Sequence, residues 1–267
     1  MIYSMTMFYD EVDLLYLKIK EESPYVDRII VVESYLTHSG QSKPLNFPLE
    51  ILDENKKVIY IAASKDDFSD CPDRWDREVR QRDIAARRFY IENDDIIIAT
   101  DVDEIISGEN IPRIVSATRQ HGLVRLDMRL FFYYINVMQP WYICSHPYAV
   151  TGRIYSENPS LSYLRTGPNR NDGTFHSNAY HLSNCGNHFG WLGGVEKIKE
   201  KFNNFCHTEY DTPEIRAGIE DRFNTLGNIV GRTDQPAFVV IDIDELYPKT
   251  IRDNLSNWTK YIRNKEK

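Results

Sequence analysis

Alternating carboxylates at the end of an apolar run are the sharpest chemical feature of this chain. In Ile96-Ile97-Ile98-Ala99-Thr100-Asp101-Val102-Asp103-Glu104 a β-branched segment runs straight into acid. In extended backbone, residues two apart point the same way, so Asp101 and Asp103 are expected to face one ligand together. Carboxylate oxygens suit hard divalent cations, and such a cation can bridge a diphosphate. The end of a sheet strand is also where open α/β folds hold their ligands. A plain acidic turn after a strand is the simpler alternative. A second copy, Phe238-Val239-Val240-Ile241-Asp242-Ile243-Asp244-Glu245, repeats the pattern, and residue chemistry alone barely separates the two.

Other residues could share the work. Glu33 and Ser34 close an apolar run, where a carboxylate could accept hydrogen bonds from a ribose or a base; a strand-end cap is the alternative. The segment from Trp75 carries Asp76–Arg80, Glu78–Arg82 and Asp83–Arg87 at i,i+4 spacing, which suits a solvated helix face with Arg82 reaching inward to phosphate. His176, His181, His188 and His207 fall in the second half. His188 is distinctive because Phe189-Gly190-Trp191-Leu192-Gly193-Gly194 follows it, and glycines let a ligand approach backbone closely. Phe131, Phe132, Tyr133, Tyr134, Trp141 and Tyr142 could stack on a sugar or simply fill the core. Cys71, Cys144, Cys185 and Cys206 form no C-x-x-C pair, so they read as buried free thiols in a reducing compartment.

The elements that must position these groups alternate in the first half. Ile2 to Phe8 reads as a strand, and Asp10 is expected to cap a helix through Glu22 with Val12, Leu15 and Ile19 on one stripe. Strands over 28–32, 58–61 and 96–99, with a helix from Trp75 to Ile91, imply βαβ units and a mainly parallel sheet. The second half is less regular. A strand is expected from Leu123 to Tyr134, long loops over 156–190, helices over 195–202 and 212–226, and a late strand over 238–241. One α/β domain spans the 267 residues in this reading, with a nucleotide-binding half to about 125 and an acceptor-side half over 126–267.

Composition narrows the function. A net charge of −8 without a long run of like charge disfavours nucleic acid as a partner. No segment reaches the ~18 uninterrupted apolar residues of a membrane span, and the first residues lack the basic flank of a signal peptide. A soluble, cytoplasmic protein is therefore expected.

At these motifs the sequence resembles glycosyltransferase family 17. The matching pieces are Asp13-Leu14-Leu15, Val31-Val32-Glu33-Ser34, Thr37, Lys43-Pro44-Leu45, Gln81-Arg82, Asp101-Val102-Asp103-Glu104-Ile105, His188 to Gly194, and His207-Thr208-Glu209-Tyr210. The later part is closer to bacterial-type members, and the cysteine-containing stretch of the family's animal N-acetylglucosaminyltransferase is not reproduced. The resemblance implies a GT-A-type, Rossmann-like fold, a UDP-sugar donor (UDP-N-acetylglucosamine in the best-known members), Mn2+ or Mg2+, a glycan or other hydroxyl acceptor, and inversion at the anomeric carbon. It selects the acidic pair at 101 over that at 242. On this reading Asp101 and Asp103 hold the metal, with His188 as a third ligand or a hydrogen-bond donor to phosphate. Glu33, Ser34, Arg82 and Asp101 bind the donor, and Glu209 or Glu104 is the catalytic base. A metal-dependent phosphohydrolase and a non-catalytic carbohydrate-binding protein are the rivals.

Overall fold

Runs of β-branched residues form the centre of the sheet. In the computed structural model, which describes residues 1–167, 179–232 and 234–264, the first four strands are β1 (Ile2–Phe8), β2 (Arg28–Ser34), β3 (Val58–Ala63) and β4 (Ile96–Ala99). They pair in parallel in the order β4-β1-β2-β3. Residues 29–32 and 96–98 are fully buried, which is why these strands show no polar alternation. Helices α1 (Val12–Glu22), α2 (Ile51–Glu54) and α4 (Ile111–His121) bring Leu14, Leu15, Ile51, Ile111 and Ile114 onto one face. Helix α3 (Arg74–Arg87) brings Ile84, Ala85 and Ala86 onto the other. Truncating one such core isoleucine to alanine costs ~2–5 kcal/mol, so this layer fixes the strand ends on which the site is built.

Beyond β4 the sheet is mixed, which limits the parallel expectation to part of it. Strands β6 (Leu123–Phe132) and β7 (Val137–Cys144) are antiparallel, as are β8 (Tyr148–Thr151) with β4 and β6, and β10 (Val239–Val240) with β7. The link between β6 and β7 is short, and short links permit only antiparallel neighbours. Strand β9 (Tyr180–Gly190) runs parallel to β6 and antiparallel to β5 (Glu104–Ile106).

Several boundaries depart from the sequence reading. The stretch 156–190 is not all loop: it holds the end of α5 (Gly152–Glu157), then α6 (Leu161–Thr166) and the whole of β9. Its few apolar residues hide this, because β9 draws its order from two flanking strands rather than from its own pattern. Gly186 is needed there, since a side-chain carbon would lie 2.0 Å from the Ile105 carbonyl oxygen. Asp10 does not cap α1, which starts at Val12 with Glu11 before it and no side-chain cap; the Asp10 carboxylate pairs with Lys197 instead. The helix on 212–226 is split at Gly218 into α8 (Pro213–Ala217) and α9 (Ile219–Thr225), after α7 (Gly194–Asn204). The late strand shrinks to the two residues of β10. The Ile2–Phe8, Arg28–Val32, Val58–Ile61 and Ile96–Ala99 readings are met almost residue for residue. A last short helix, α10 (Lys249–Asp253), packs against α1.

Candidate active site

Where β1 and β4 end, the chain opens a cavity of about 690 Å³ whose wall includes Asp101 and Asp103. The backbone does not continue extended after β4. Glu104 N–H donates to the Asp101 carbonyl at 3.0 Å, so residues 101–104 form a tight turn into β5. The two aspartates thus reach one cavity through a turn, not through strand alternation. Phe189 N–H donates to the Asp103 carbonyl at 2.8 Å and ties the turn to β9.

Each aspartate has its own cations. Asp101 accepts from Arg82 Nη2 at 3.2 Å and Arg165 Nη2 at 3.0 Å. Burial works against its charge, but Arg165 and then Arg82 outweigh it and hold the carboxyl down at about 2. Asp103 Oδ2 lies 3.5 Å from His188 Nε2 and 3.4 Å from Lys201 Nζ. Against burial, His188 and Lys201 hold the Asp103 carboxyl well below the usual carboxylate range. Reciprocally, although burial opposes it, Asp103 holds the His188 imidazole well above its ordinary value, with Cys144 adding to the effect. Cys144 Sγ sits 3.3 Å from His188 Nδ1, which turns Nε2 toward Asp103.

The arginine helix is not the solvated face that its spacing suggests. Gln81 through Ala86 are buried, and Arg82 bridges Glu78 at 3.0 Å to Asp101. Arg87 does pair with Asp83 at 3.3 Å, but Arg80 reaches Asp70 rather than Asp76. The cap of this helix is Asp73, whose side chain accepts from Asp76 N–H.

Four sequence candidates lie elsewhere. Glu104 is fully buried; both of its oxygens take Arg165 N–H bonds, at 2.6 and 3.0 Å, and one also takes Asp101 N–H. It lies behind the cavity wall, so the position corrects its assignment as a base: it anchors Arg165. Glu33 is also fully buried and accepts from Lys43, Asn46 N–H, Phe47 N–H and Tyr60. Ser34 Oγ accepts from Leu36 N–H. Both side chains tie down the loop after β2, and neither lines the cavity. Glu209 stands at the rim, more than half exposed, and accepts from His207 at 2.6 Å. The second acidic pair is outside the cavity: Asp244 holds Arg129 at 2.8 Å, and that guanidinium lies over the Tyr247 ring. Of the aromatic run, Phe131 and Tyr133 are core, and Phe132 and Tyr142 line the cavity. His176 lies outside the described residues.

Three cavity residues carry no sequence signal of their own. Arg165 comes from α6, in the segment that reads as loop; its place is set by Arg125, whose guanidinium holds the Leu164 and Arg165 carbonyls. Lys201 comes from α7 and looks like any lysine of a charged helix. Glu11 lines the cavity, accepts from Asp10 N–H at 3.1 Å, and has its carboxyl raised by burial, against the pull of Lys201. That combination of wall position and raised affinity for a proton suits acid–base work.

Carboxylate oxygens from Asp101 and Asp103 with one imidazole nitrogen are donor types that a hard divalent cation accepts. Asp103 Oδ2 and His188 Nε2 stand 3.5 Å apart as an ion pair. Asp101, Asp103 and His188 are not a group whose ligand atoms all lie within 4.8 Å of one another, so the three would have to draw together, and His188 give up its proton, to share one ion.

The model of glycosyltransferase family 17 matches residues 1–209. No curated protein sequence matches the chain. Among solved structures, it is similar to 4-diphosphocytidyl-2C-methyl-D-erythritol synthase from Anaerococcus prevotii, at 12% identity and a TM-score of 0.42, covering 68% of this chain and 86% of that one. It is also similar to residues 1–349 of S. aureus TarS, at 11% identity and a TM-score of 0.36, covering 59% of this chain and 49% of that one. Among the described residues no helix is long and apolar enough to cross a membrane.

Proposed function

The chain belongs to glycosyltransferase family 17, and on that premise we propose a metal-dependent, inverting transfer of a sugar from a UDP-sugar, UDP-N-acetylglucosamine by family, to a glycan or other hydroxyl acceptor. The observation that carries this reading is the turn at 101–103. It presents two carboxylates and His188 to one cavity at the carboxyl ends of parallel strands. Asp101, Asp103 and His188 would hold Mn2+ or Mg2+, which when bound supplies neutralisation of charge on the departing diphosphate. Arg82, Arg165 and Lys201 orient phosphate oxygens from the same wall. The acceptor oxygen attacks the anomeric carbon as the bond to the diphosphate oxygen breaks, and a carboxylate takes the acceptor proton. Glu11 is the carboxylate best placed for that proton, with Glu209 at the rim as the alternative.

Calorimetry with UDP in Mn2+ and in EDTA tests the donor half of the proposal. A large difference is expected; equal affinity in both would overturn metal dependence. NMR of the earliest product tests stereochemistry, with a β-linked product expected from an α-linked donor. Release of inorganic phosphate without acceptor would favour the phosphohydrolase instead.

A further inference from the structure

His38, Glu78 and Cys206 come from three separated parts of the chain and meet on the cavity wall, apart from the Asp101–Asp103 turn. One ligand atom from each lies within 4.8 Å of the others. His38 Nδ1 is 3.6 Å from Cys206 Sγ, which also lies 3.3 Å from the Arg74 carbonyl oxygen. Gln81 sets the histidine's tautomer. Its amide nitrogen donates to the Phe8 and Val32 carbonyls, at 3.3 and 3.0 Å, so its oxygen is left to accept. That oxygen is 3.1 Å from His38 Nε2, which must therefore carry the proton. The lone pair of Nδ1 is then left for the sulfur beside it. A histidine whose far nitrogen is fixed by such a hydrogen bond is built like a metal ligand with its outer partner.

We propose that His38, Glu78 and Cys206 form a second metal site, for a borderline-soft divalent cation of the Zn2+ class, distinct from the oxygen-rich site at Asp101 and Asp103. Thiolate and imidazole favour such a cation over Mg2+ or Mn2+. Tetrahedral bonds of about 2.0–2.3 Å put ligand atoms ~3.3–3.8 Å apart, so the observed spacing needs only a small contraction. Binding displaces the Cys206 thiol proton to solvent and leaves a fourth position toward the cavity. All three residues line the cavity, and the site clamps the loop after β2 and the residues after α7 onto α3. Among the described residues a second cluster of this kind, Glu104, Cys144 and His188, is the weaker candidate. Arg165 holds both oxygens of its carboxylate and its histidine faces Asp103, whereas Arg82 is bonded to Glu78 through Oε1.

The test uses the metal alone, so its outcome is separate from that of the donor reading. The full chain, stripped of metal, is titrated with Co2+ and followed by absorption. One equivalent should produce an intense near-ultraviolet thiolate-to-cobalt band that Zn2+ bleaches and excess Mg2+ does not. The band should vanish in Cys206→Ser and persist in Cys144→Ser and Asp103→Asn. Its absence from the wild-type protein, or its survival in Cys206→Ser, would overturn the proposal. If Cys206→Ser does not fold, Gln81→Met serves: freeing the histidine ring should lower Zn2+ affinity ~10–100-fold, and unchanged affinity would count against the site.

Discussion

Removing the Arg165 guanidinium should destabilise the chain more than any exposed charge on it. Arg165 makes two N–H bonds to a fully buried Glu104 and a third, at 3.0 Å, to Asp101. Replacing it with methionine keeps most of the stem volume and leaves the Glu104 carboxylate in the interior without its cation. Breaking one side of a buried ion pair costs ~3–5 kcal/mol, most of it the desolvated charge left behind. At ~2–4 °C per kcal/mol for a chain of this size class, the melting temperature should fall by ~6–20 °C. The partner test is Arg165→Met with Glu104→Gln. The amide needs no cation, and the double variant should recover more than half of the loss, a coupling that a double-mutant cycle reads directly. Thermal melts and urea unfolding of the four proteins supply the numbers. A loss below about 1 kcal/mol in Arg165→Met, or no rescue by Glu104→Gln, would refute the anchoring role. Glu104→Gln alone also separates this role from base catalysis. An anchor shows itself in stability, whereas a base replaced by its amide leaves a stable and inactive enzyme.

Three further outcomes follow from the same geometry. Asp103→Asn should abolish metal-dependent UDP binding, whereas Asp244→Asn, which only releases Arg129, should keep most of it; calorimetry and circular dichroism on both decide. Glu11→Gln should lower kcat ~10²–10⁴-fold at unchanged UDP affinity, with Glu209→Gln much milder; the reverse order would move the base to the rim. The Asp101 carboxyl is depressed from 3.8 to about 2 in the fold, so its stabilisation is full above pH 4 and lost as pH falls through about 2. That depression is worth ~2 kcal/mol at neutral pH, and Asp101→Asn should lose it, with the gap to wild type closing between pH 4 and pH 2 in acid melts.

What the sequence discloses follows from how local each cause is. Strands β1 to β4 are legible because burial on both faces demands an uninterrupted β-branched run, and Ile96–Ala99 is such a run. The acidic pair at 101 is visible for the same reason, at the end of a strand that announces itself. Its twin at 242 looks identical because nothing local says that Asp244 will meet Arg129. Arg165 is the harder case. It sits in a segment of sparse apolar residues, and its helix is positioned by Arg125 and the Tyr148 hydroxyl, which reach it from β6 and β8. Glu33 is misleading in the opposite direction: its strand-end place is read correctly, but its acceptor capacity is taken up by the chain that returns beside it.

The site's charges suggest why both aspartates are paired before any donor arrives. Asp101, Asp103, Glu78 and Glu104 face Arg82, Arg165, Lys201 and the raised imidazole of His188. Four negative groups against four positive ones leave this wall nearly neutral, although the whole chain carries −8. A bare acidic pair would repel the diphosphate of the proposed donor. On that proposal the anion would meet guanidinium and ammonium groups already fixed in place, and fixed charges need no reorganisation during the reaction. The two arginines differ in how they are held. Arg165 is pinned by Glu104 and can give up Asp101 without becoming mobile, because two of its three carboxylate bonds go to a buried partner. Arg82 is held in the same way by Glu78 and by Ser162. Each therefore keeps a second anchor when Asp101 lets go, Glu104 behind the wall for Arg165 and Glu78 on the wall itself for Arg82, and offers one exchangeable bond in front. This is the arrangement a site needs if Asp101 is to change partners when the nucleotide binds while the wall itself stays where β4 and α3 put it.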